Sequence, residues 1–333
     1  MAVAKWRPLR AETVRATQMD VARAAGVSQG LVSLALTDSQ RVSDATKARI
    51  LAVAEELGYF RDLSAADLAA GSSTILGVLL PDMRNPFIAD VTETIQASAR
   101  DAGLMAMVVT GGLDRRREVA AMRRFRALRV AGVALVSPVL GRAVIADYAE
   151  QVPVTVVGRS ASSGLADSVH VDEDAAAELV VSRLLLSEVR QMVHISASLM
   201  GPDAAVAPRR RAVERAAKSA GLGFTSVRSV KEAVRIAVST AELGISVHND
   251  PVAIETLMAL SESGRKPGRD IPVISYDDTQ LARFPHFDLT SVSQQPELLG
   301  QSAMDLLLSR IADPDLPGRD IAIPPTLAVR SSA

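Results

Sequence analysis

Two groups of neighbouring carboxylates are the first candidates for chemistry in this sequence. Asp277 and Asp278 are adjacent, and a pair of carboxylates can act as general acid and base when their pKa values differ. Asp172, Glu173 and Asp174 form a second group, and oxygen-rich groups of this kind can bind a divalent cation. We interpret the first pair instead as a ligand-binding residue and its neighbour at a strand end. We interpret the second group as the cap of the following helix, since carboxylates stabilise a helix N-terminus.

The remaining reactive residue types do not form a catalytic or metal-binding pattern. The four histidines lie too far apart in the sequence for a zinc-binding spacing: His170, His194, His248 and His286. The sequence contains no cysteine, which excludes disulfides, thiolate metal sites and a cysteine nucleophile. It also contains no phosphate-binding P-loop. We therefore expect a protein that is not an enzyme, with no catalytic residues, no metal and no cofactor.

The first 60 residues have the pattern of three short helices. The predicted helices run from Gln18 to Ala25, from Gln29 to about Leu36, and from Asp44 to about Leu57. Thr17, Ser28 and Ser43 precede them, and these residue types cap helix N-termini. Gly26 ends the first helix, and only a short turn connects it to the second. Two short helices joined by such a turn form a helix-turn-helix unit, whose second helix can enter the major groove of DNA.

After residue 73 the pattern changes to strands that alternate with helices. Short apolar runs alternate with amphipathic helices in two successive series, from Ile75 to Val157 and from Asp174 to Ser275. This alternation predicts an α/β fold with two doubly wound parallel sheets, one in each of two lobes. We expect a ligand site between the lobes, because ligands bind beyond the carboxyl ends of parallel strands.

Composition and charge limit the classes of protein. The chain has 333 residues, 48% hydrophobic and 23% charged, which is typical of a folded globular protein rather than a disordered one. Its 37 basic and 38 acidic residues give a net charge of −1, so the overall charge does not indicate nucleic-acid binding. The apolar stretch from Val130 to Gly141 is shorter than the roughly 20 residues of a membrane helix. We expect no membrane span, no secretory signal and a cytoplasmic location.

Several segments closely resemble the LacI/GalR type of transcriptional regulator. In the first 60 residues these are DVARAAGVSQGLVS at 20–33, VSDATKARI at 42–50 and ELGY at 56–59. In the remainder they are ILGVLLPDMRNPF, VPVTVVGR, VHND, VISYDD and LTSVSQQPELLG, in the same order as in that family's effector domain. The resemblance covers nearly the whole chain. It implies an N-terminal helix-turn-helix headpiece of three helices and a bilobed, periplasmic-binding-protein-like effector domain.

The resemblance divides the chain into three parts. We expect residues 1–60 to form the DNA-binding headpiece and residues 61–73 to form a hinge or linker. We expect residues 74–333 to form the bilobed domain for effector binding and dimerisation. Within that domain, lobe 1 is predicted at about 74–160 and 291–333, and lobe 2 at about 161–290.

The resemblance also implies which headpiece residues contact DNA. In the family the second helix enters the major groove, and the residues after the matching serine, here Gln29 and Gly30, face base edges. Gln29 can form two hydrogen bonds with adenine, worth about 1 to 3 kcal/mol of discrimination, whereas Gly30 has no side chain to read a base. The positions that contact phosphates in the family are occupied here by Thr17, Ser28, Ser33 and Arg41. Ser28 is also the expected cap of its helix.

The hinge matches the family at one important position. Leu68 matches the leucine with which the family's hinge helix kinks DNA through the minor groove. The alternative is that Leu68 packs a short helix against the effector domain. Arg61 and Asp62 replace a proline and an asparagine, Asp67 adds a carboxylate, and Leu34 stands where arginine is common. These departures predict weaker DNA binding or a shifted hinge geometry.

In the effector domain the resemblance implies a small-molecule site. Arg209 matches the arginine that hydrogen-bonds the ligand from the second lobe, and Asp277 matches the acidic residue of a Gly-Tyr/Phe-Asp motif. Together they suit the hydroxyls of a sugar-like ligand. Phe87 matches an aromatic position that stacks on the ligand. The other matching positions are Asn249, Asp250 and Gln294. Asn249 and Asp250 have a second interpretation, as the N-cap of the next helix.

Two features predict a modified pocket. The segment between Gly221 and Gly244 is shorter than in relatives, and we expect it to lack a loop and a strand of the pocket wall. Gly158 stands where relatives often have an aspartate. The pocket is therefore expected to be reshaped, to accept an atypical ligand or to be empty.

The leading hypothesis is a ligand-responsive repressor that binds a palindromic operator in double-stranded DNA as a homodimer. A sugar-like effector would change the relative pose of the lobes and so change operator affinity. Two alternatives stay open: a bilobed small-molecule-binding protein with an N-terminal extension, and a regulator that binds DNA without a ligand. The sequence does not decide between a dimer and a tetramer, and it does not decide whether the effector induces or co-represses.

Overall fold

The computed structural model describes residues 16–36, 41–60, 73–160, 164–196 and 203–333. The chain divides into two compact units, Met1–Ser72 and Ser73–Ala333.

The first unit contains the three predicted helices. They are α1 (Gln18–Ala25), α2 (Gln29–Leu36) and α3 (Asp44–Glu56). Their shared core consists of small and β-branched side chains that include Val21, Val32 and Ile50, each with no exposed surface. Gly26 adopts φ +64° at the end of α1, a left-handed conformation that glycine reaches without steric cost. The helix-turn-helix unit therefore has the predicted boundaries.

The second unit contains a first sheet of six parallel strands. These are β1 (Ile75–Leu80), β2 (Met105–Thr110), β3 (Gly132–Val136), β4 (Val154–Val157), β5 (Asp167–Val171) and β11 (Asp320–Ile323). The strands are ordered β11-β5-β4-β3-β1-β2. One face packs on α4 (Pro86–Asp101) and α11 (Pro296–Ala312), and the other on α5 (Arg115–Ala127) and α6 (Arg142–Ala149).

A second sheet of six strands completes this unit. It contains β6 (Gln191–Ile195), β7 (Gly223–Val227), β8 (Leu243–Val247), β9 (Val273–Asp277), β10 (Thr290–Ser293) and β12 (Thr326–Ala328). The order is β12-β10-β9-β8-β6-β7, and β12 alone runs antiparallel to its neighbour. Helices α7 (Glu173–Leu185) and α8 (Asp203–Ser219) pack on one face, and α9 (Val230–Ser239) and α10 (Asp250–Glu262) on the other. The predicted class, an α/β fold with two doubly wound sheets behind a helix-turn-helix unit, is confirmed.

The chain crosses between the two sheets at three points. These points differ from the lobe boundaries that we predicted. It crosses after β5, after β10 and again between β11 and β12. The prediction placed β5 in lobe 2, but β5 pairs in parallel with β4 in the first sheet. It placed β10 and β12 in lobe 1, but both extend the second sheet. These strands are short and partly polar, so the hydrophobic pattern does not show which sheet they join.

The segment between Gly221 and Gly244 retains the strand that we expected to be missing. Strand β7 pairs in parallel with β6 along its whole length, from Gly223 opposite Gln191 to Val227 opposite Ile195. The prediction of a lost strand is therefore wrong. Only Val227 is fully buried in this edge strand, so its sequence lacks the apolar run by which the other strands were recognised.

A buried ion pair attaches the end of the chain to the first sheet. Both carboxylate oxygens of Asp167 on β5 accept hydrogen bonds from the guanidinium of Arg310 on α11, at 2.8 Å each. Arg319 adds a second pair to the same carboxylate at 2.9 Å. Burial raises the pKa of Asp167, but the hydrogen bonds from Arg310 and Arg319 outweigh it and hold this pKa below its usual value. The carboxylate therefore fixes α11 and β11 to the sheet.

Among the described residues, no helix combines the length and the hydropathy that crossing a bilayer requires.

Candidate functional site

The N-terminal turn of α2 leaves its polar residues in solvent. Ser28, Gln29, Gly30 and Ser33 are exposed, whereas Val32 and Ala35 on the opposite side are buried. The hydroxyl of Ser28 accepts a hydrogen bond from the N–H of Leu31 at 3.2 Å, so Ser28 caps the helix as predicted. The helix therefore presents one polar face that makes no packing contact with the core.

The other headpiece candidates flank this face or fall outside the described residues. Thr17 forms a capping box with Asp20: its hydroxyl accepts from the Asp20 N–H, and its own N–H donates to the carboxylate at 2.9 Å. Arg41 is exposed. Leu34 is half-buried against the three-helix core, so it adds no polar group to the surface of α2. The hinge residue Leu68, with its neighbours at 61, 62 and 67, lies outside the described residues.

A polar cleft lies in the second unit, where the carboxyl ends of strands from both sheets meet. Its volume is about 60 Å³. The first sheet contributes residues that follow β1, β3 and β4, and the second sheet contributes residues that follow β8, β9 and β10. The lining residues are Asn85, Phe87, Ile88, Ser137, Gly158, Glu173, Arg209, His248, Asn249, Asp277 and Gln294. Parallel strands place their ligand sites at this edge.

Arg209 on α8 is the centre of a hydrogen-bond network inside the cleft. Its Nε and Nη2 donate to the carboxylate of Glu173 at 3.0 to 3.2 Å. Its Nη1 donates to the carbonyl of His248 at 2.7 Å, and its Nη2 also donates to Oε1 of Gln294 at 2.8 Å. Burial lowers the pKa of Arg209, but the charge of Glu173 outweighs burial, and this pKa lies above its ordinary value. The guanidinium is thus charged and matched by one carboxylate.

An aromatic ring packs against the Arg209 guanidinium. The guanidinium carbon lies 4.1 Å from the centre of the Tyr276 ring, a favourable arrangement of a cation over an aromatic face. Tyr276 is fully buried in β9, directly before Asp277. The ring therefore restricts the orientation of the guanidinium in the cleft.

Asp277 ends β9 and is almost completely buried. Nδ2 of Asn85 donates to its carboxyl group at 2.8 Å, and Nε2 of Gln294 donates to the other oxygen. Burial raises the pKa of Asp277 to about 8, and the nearby carboxyl of Asp250 contributes. Burial therefore favours the protonated form of this carboxyl group. Its φ of +107° is a strained conformation of the kind found at functional sites.

Asp250 does not line the cleft, which differs from our prediction. Its carboxylate accepts hydrogen bonds from the N–H and hydroxyl of Thr279, at 2.7 and 2.8 Å, and from the hydroxyl of Ser291 at 2.8 Å. These contacts use the carboxylate to hold the loop after β9. Asn249 combines the two roles considered for it, because it caps α10 through a 3.2 Å bond from Val252 N–H and also lines the cleft.

The structure brings the other predicted effector residues together. Phe87, Arg209, Asn249, Asp277 and Gln294 all line the same cleft. Phe87 is buried in the first turn of α4.

Sequence reasoning missed two polar residues of this cleft. Asn85 caps α4 by accepting from the Phe87 N–H at 3.1 Å, and the order Asn-Pro after a buried strand was a usable signal for it. Glu173 was assigned to helix capping, but Asp172 performs that role by accepting from two backbone N–H groups of α7. Glu173 is thereby left to pair with Arg209.

Two buried histidines stand beside the network. Burial lowers the pKa of His194 to about 3, and burial likewise holds the pKa of His248 well below its ordinary value. Both rings are therefore neutral near pH 7. Among the described residues, Nδ1 of His248 and the hydroxyl of Tyr276 have no hydrogen-bond partner. His248 lines the cleft, so one polar atom there is available to a ligand.

Two family models match the chain. Residues 17–62 match the model described as bacterial regulatory proteins, lacI family, and residues 181–333 match the model described as a periplasmic binding protein-like domain. The first match contains the helix-turn-helix unit, and the second contains Arg209 and Asp277. The chain belongs to the LacI family. Its two matched regions give this LacI-family protein a DNA-binding domain and a ligand-binding domain.

Curated relatives of this LacI-family protein are regulators of transcription. The HTH-type transcriptional regulator PtxS of Pseudomonas plecoglossicida is 28% identical over 327 residues, 96% of each chain. The ribose operon repressor of Escherichia coli K12 is 26% identical over 332 residues, 96% of this chain and 100% of the repressor. Both alignments extend over the two units.

Solved structures of LacI-family proteins share the fold. The lac repressor dimer bound to operator and the anti-inducer ONPF superposes with a TM-score of 0.82 at 23% identity, over 96% of this chain and 99% of that one. The complex of the transcriptional regulator CelR with cellobiose has a TM-score of 0.68 at 22% identity, over 96% and 100%. At this level of identity the likeness describes the fold.

Proposed function

We propose that this protein is a ligand-responsive transcriptional repressor that binds a palindromic operator as a homodimer. The observation that carries the proposal is the N-terminal turn of α2, where Ser28, Gln29 and Ser33 face solvent while the rest of the helix packs. A helix held in this way can place its first residues against base edges in the major groove. A dimer supplies two such helices related by a two-fold axis, which explains the expected palindrome.

Separate roles follow for the headpiece residues. Gln29 reads an adenine, and Gly30 permits close approach of the helix to the bases. Thr17, Ser28, Ser33 and Arg41 contact phosphates, which set the register without reading sequence. Leu68 enters the minor groove between two half-sites, from the hinge at 61–73. The headpiece at 1–60 then precedes the effector-binding and dimerisation domain at 74–333.

The proposed effector is a small uncharged polyol of the sugar class. Glu173 already matches the charge of Arg209, so this guanidinium offers no unpaired positive charge to an anion. Burial raises the pKa of Asp277, which disfavours a negative charge at the other side of the cleft. Asn85, Gln294 and the carboxyl of Asp277 offer several donors and acceptors suited to hydroxyl groups. Phe87 supplies an apolar surface for a sugar ring.

We infer from the size of the cleft that the two lobes move when an effector binds. A cleft of about 60 Å³ is much smaller than the roughly 300 Å³ or more of typical small-molecule sites. Effector binding would therefore separate the lobes at the cleft. Because the ligand binds one arrangement of the lobes better than the other, it shifts the population and with it the operator affinity.

The experiment that tests this function is selection of bound sequences from a random duplex library with the purified full chain. It should be repeated at two salt concentrations, because phosphate contacts make affinity fall as salt rises. We expect a palindromic consensus with an A·T pair at corresponding positions of both half-sites. Absence of enrichment at low salt would contradict the proposal.

A second candidate function is a regulator that binds DNA without any ligand. The cleft favours this candidate in one respect, since its charged and amide groups are already paired with one another. A thermal-shift screen with neutral sugars separates the two candidates. A ligand at 100 times its Kd stabilises a protein by about 2.7 kcal/mol, so a true effector raises the Tm clearly. No shift with any sugar would favour the ligand-independent regulator.

A further inference from the structure

The segment 114–129 of the second unit carries a strong excess of positive charge. It comprises α5 with its N-cap and the residues that follow it, and it contains seven arginines and two acids, a net charge of +5. The whole chain has a net charge of −1. The arginines, named the α5 arginines below, are Arg115, Arg116, Arg117, Arg123, Arg124, Arg126 and Arg129.

All seven of the α5 arginines are exposed to solvent. In the described part of the chain, none of them lies within ion-pair distance of an acidic side chain. The six arginines of α5 and Arg129 just after it repel one another, and the Asp114 carboxylate at the start of the helix offsets part of this repulsion. A surface of this kind favours an anionic partner.

The two acidic residues of the segment form hydrogen bonds that hold the helix in place. Asp114 caps α5 by accepting from the N–H groups of Arg116 and Arg117, at 2.7 and 3.1 Å. Glu118 is fully buried and accepts from the N–H groups of Val139 and Leu140 at 3.0 to 3.1 Å. Together with the buried Phe125, these contacts make α5 a rigid platform.

The spacing along α5 aligns several arginines on its outer side. Arg116 and Arg123 are seven residues apart, as are Arg117 and Arg124, so each pair lies on the same side of the helix about two turns apart. Ala120 lies between them and is exposed, and its small side chain does not obstruct its neighbours. Arg124 and Arg126 in the last turn also complement the helix dipole, but that effect does not extend to the first turn.

The end of α5 lies beside the start of β1. The N–H of Ala131 donates to the carbonyl of Ile75 at 2.7 Å, so the turn that contains Arg129 adjoins the first residue of the strand. Ile75 comes two residues after Ser73, where the second unit begins. The C-terminal end of the basic surface is therefore next to the first residues of the second unit.

We propose that the α5 arginines bind phosphates of duplex DNA outside the sequence that α2 reads. The inference rests on the proposed function, because the headpiece must first hold the DNA. The contacts are electrostatic and independent of sequence, so they lengthen the bound segment without altering the consensus. The partner is a phosphate backbone because a rigid row of guanidinium groups matches repeated phosphate groups in charge and hydrogen bonding.

The test compares the full chain with the triple variant Arg116→Gln, Arg123→Gln and Arg124→Gln. Affinity is measured by fluorescence anisotropy on random-sequence duplexes of two lengths, about 20 and about 60 base pairs, over a series of salt concentrations. Each lost phosphate contact reduces the slope of log K against log salt by about 0.9. We expect the slope on the long duplex to fall by about 2 to 3 and affinity at low salt to fall at least about tenfold. The short duplex should show a smaller change.

A matched control variant removes the same number of positive charges from a different surface of the second unit. Lys231→Gln, Arg235→Gln and Arg269→Gln remove three exposed positive charges from the second-sheet lobe, and we expect them to leave the slope unchanged. Equal slopes for wild type and the α5 variant on the long duplex would overturn the inference, as would an equal loss in the control. If the library selection yields no consensus but the α5 variant still loses slope, the α5 inference stands and the proposed operator specificity fails.

Discussion

At the scale of single residues, the cleft is organised by the pairing of Arg209 with Glu173. Arg209 is 6% exposed, so its charge is stabilised by this one carboxylate and by three uncharged partners. The resemblance to the LacI/GalR type pointed to Arg209 and Asp277. It did not point to Glu173, because a carboxylate at the start of a helix has a simpler explanation as part of the cap. Only the side-chain direction, which depends on tertiary packing, separates Asp172 from Glu173.

Replacement of Glu173 tests this pairing. Glu173→Gln leaves the buried Arg209 charge without its carboxylate, and hydrogen bonds to charged groups are worth about 1.5 to 3 kcal/mol. We expect the free energy of unfolding, measured by urea denaturation, to fall by about that amount. The control Asp174→Asn breaks an exposed ion pair with Arg215 and should cost less than about 1 kcal/mol. Equal losses in both variants would contradict the assigned role of Glu173.

Asp277 gives the stability a dependence on pH. Its pKa is about 8 in the folded protein and close to 3.8 in the unfolded chain, so the folded state holds an extra proton between these values. Stability is therefore greatest near the lower value and falls as the pH rises towards 8. We expect Asp277→Asn to flatten this decline, measured as urea midpoints at pH 5, 6.5 and 8. If wild type and variant decline in parallel, the raised pKa belongs to another group, and Asp250 is the first to examine.

At the scale of helices and strands, the sequence predicts the elements whose ends are marked by local residues such as caps and glycine. The helices of the headpiece were predicted within one residue because Thr17, Ser28 and Ser43 cap them and Gly26 ends α1. Pro208 is a residue type favoured at the first helical position, but it lies inside α8, which begins at Asp203. Strands β5 and β7 were missed because their sequences, DSVHV and GFTSV, mix polar and apolar residues. Their pairing depends on the sheet rather than on their own pattern.

The attachment of α11 to β5 provides a test at this scale. Asp167→Asn removes the carboxylate from Arg310, which is 1% exposed, and breaking a buried ion pair in this way costs about 3 to 5 kcal/mol. Arg319→Gln breaks a pair on the partly exposed side of the same carboxylate, so a smaller loss of about 1 kcal/mol is expected. Thermal unfolding of the two variants checks the order. A larger loss for Arg319→Gln would contradict the view that Arg310 makes the main attachment.

At the scale of the whole molecule, the proposed function is a coupling between two ligands. The ratio of operator affinities with and without effector must equal the ratio of effector affinities with and without operator, and such couplings amount to about 1 to 3 kcal/mol. The cleft and the headpiece belong to different units, so the sequence motifs of each unit could be recognised independently. How strongly one affects the other is not encoded in any local pattern.

Arg209→Ala should remove the coupling without removing DNA binding. The variant is expected to bind the selected operator within about twofold of wild type, while effector no longer changes that affinity; titrations with and without the sugar identified by thermal shift measure both. Arg211→Ala on the exposed side of α8 is the matched control and should respond as wild type does. A normal response of Arg209→Ala would show that the effector binds elsewhere.

The position of α11 has a consequence for how the protein is made. Its residues Leu299, Ala303 and Met304 cover the face of the first sheet, and β11 closes the edge of that sheet beside β5. The strands that they complete precede α11 and β11 in the chain and therefore leave the ribosome before them. The apolar face of the first sheet stays open until α11 has been synthesised. A premature stop codon after residue 295 would leave most strands of the second sheet in place. It would leave the apolar face of the first sheet, which is translated earlier, exposed to solvent.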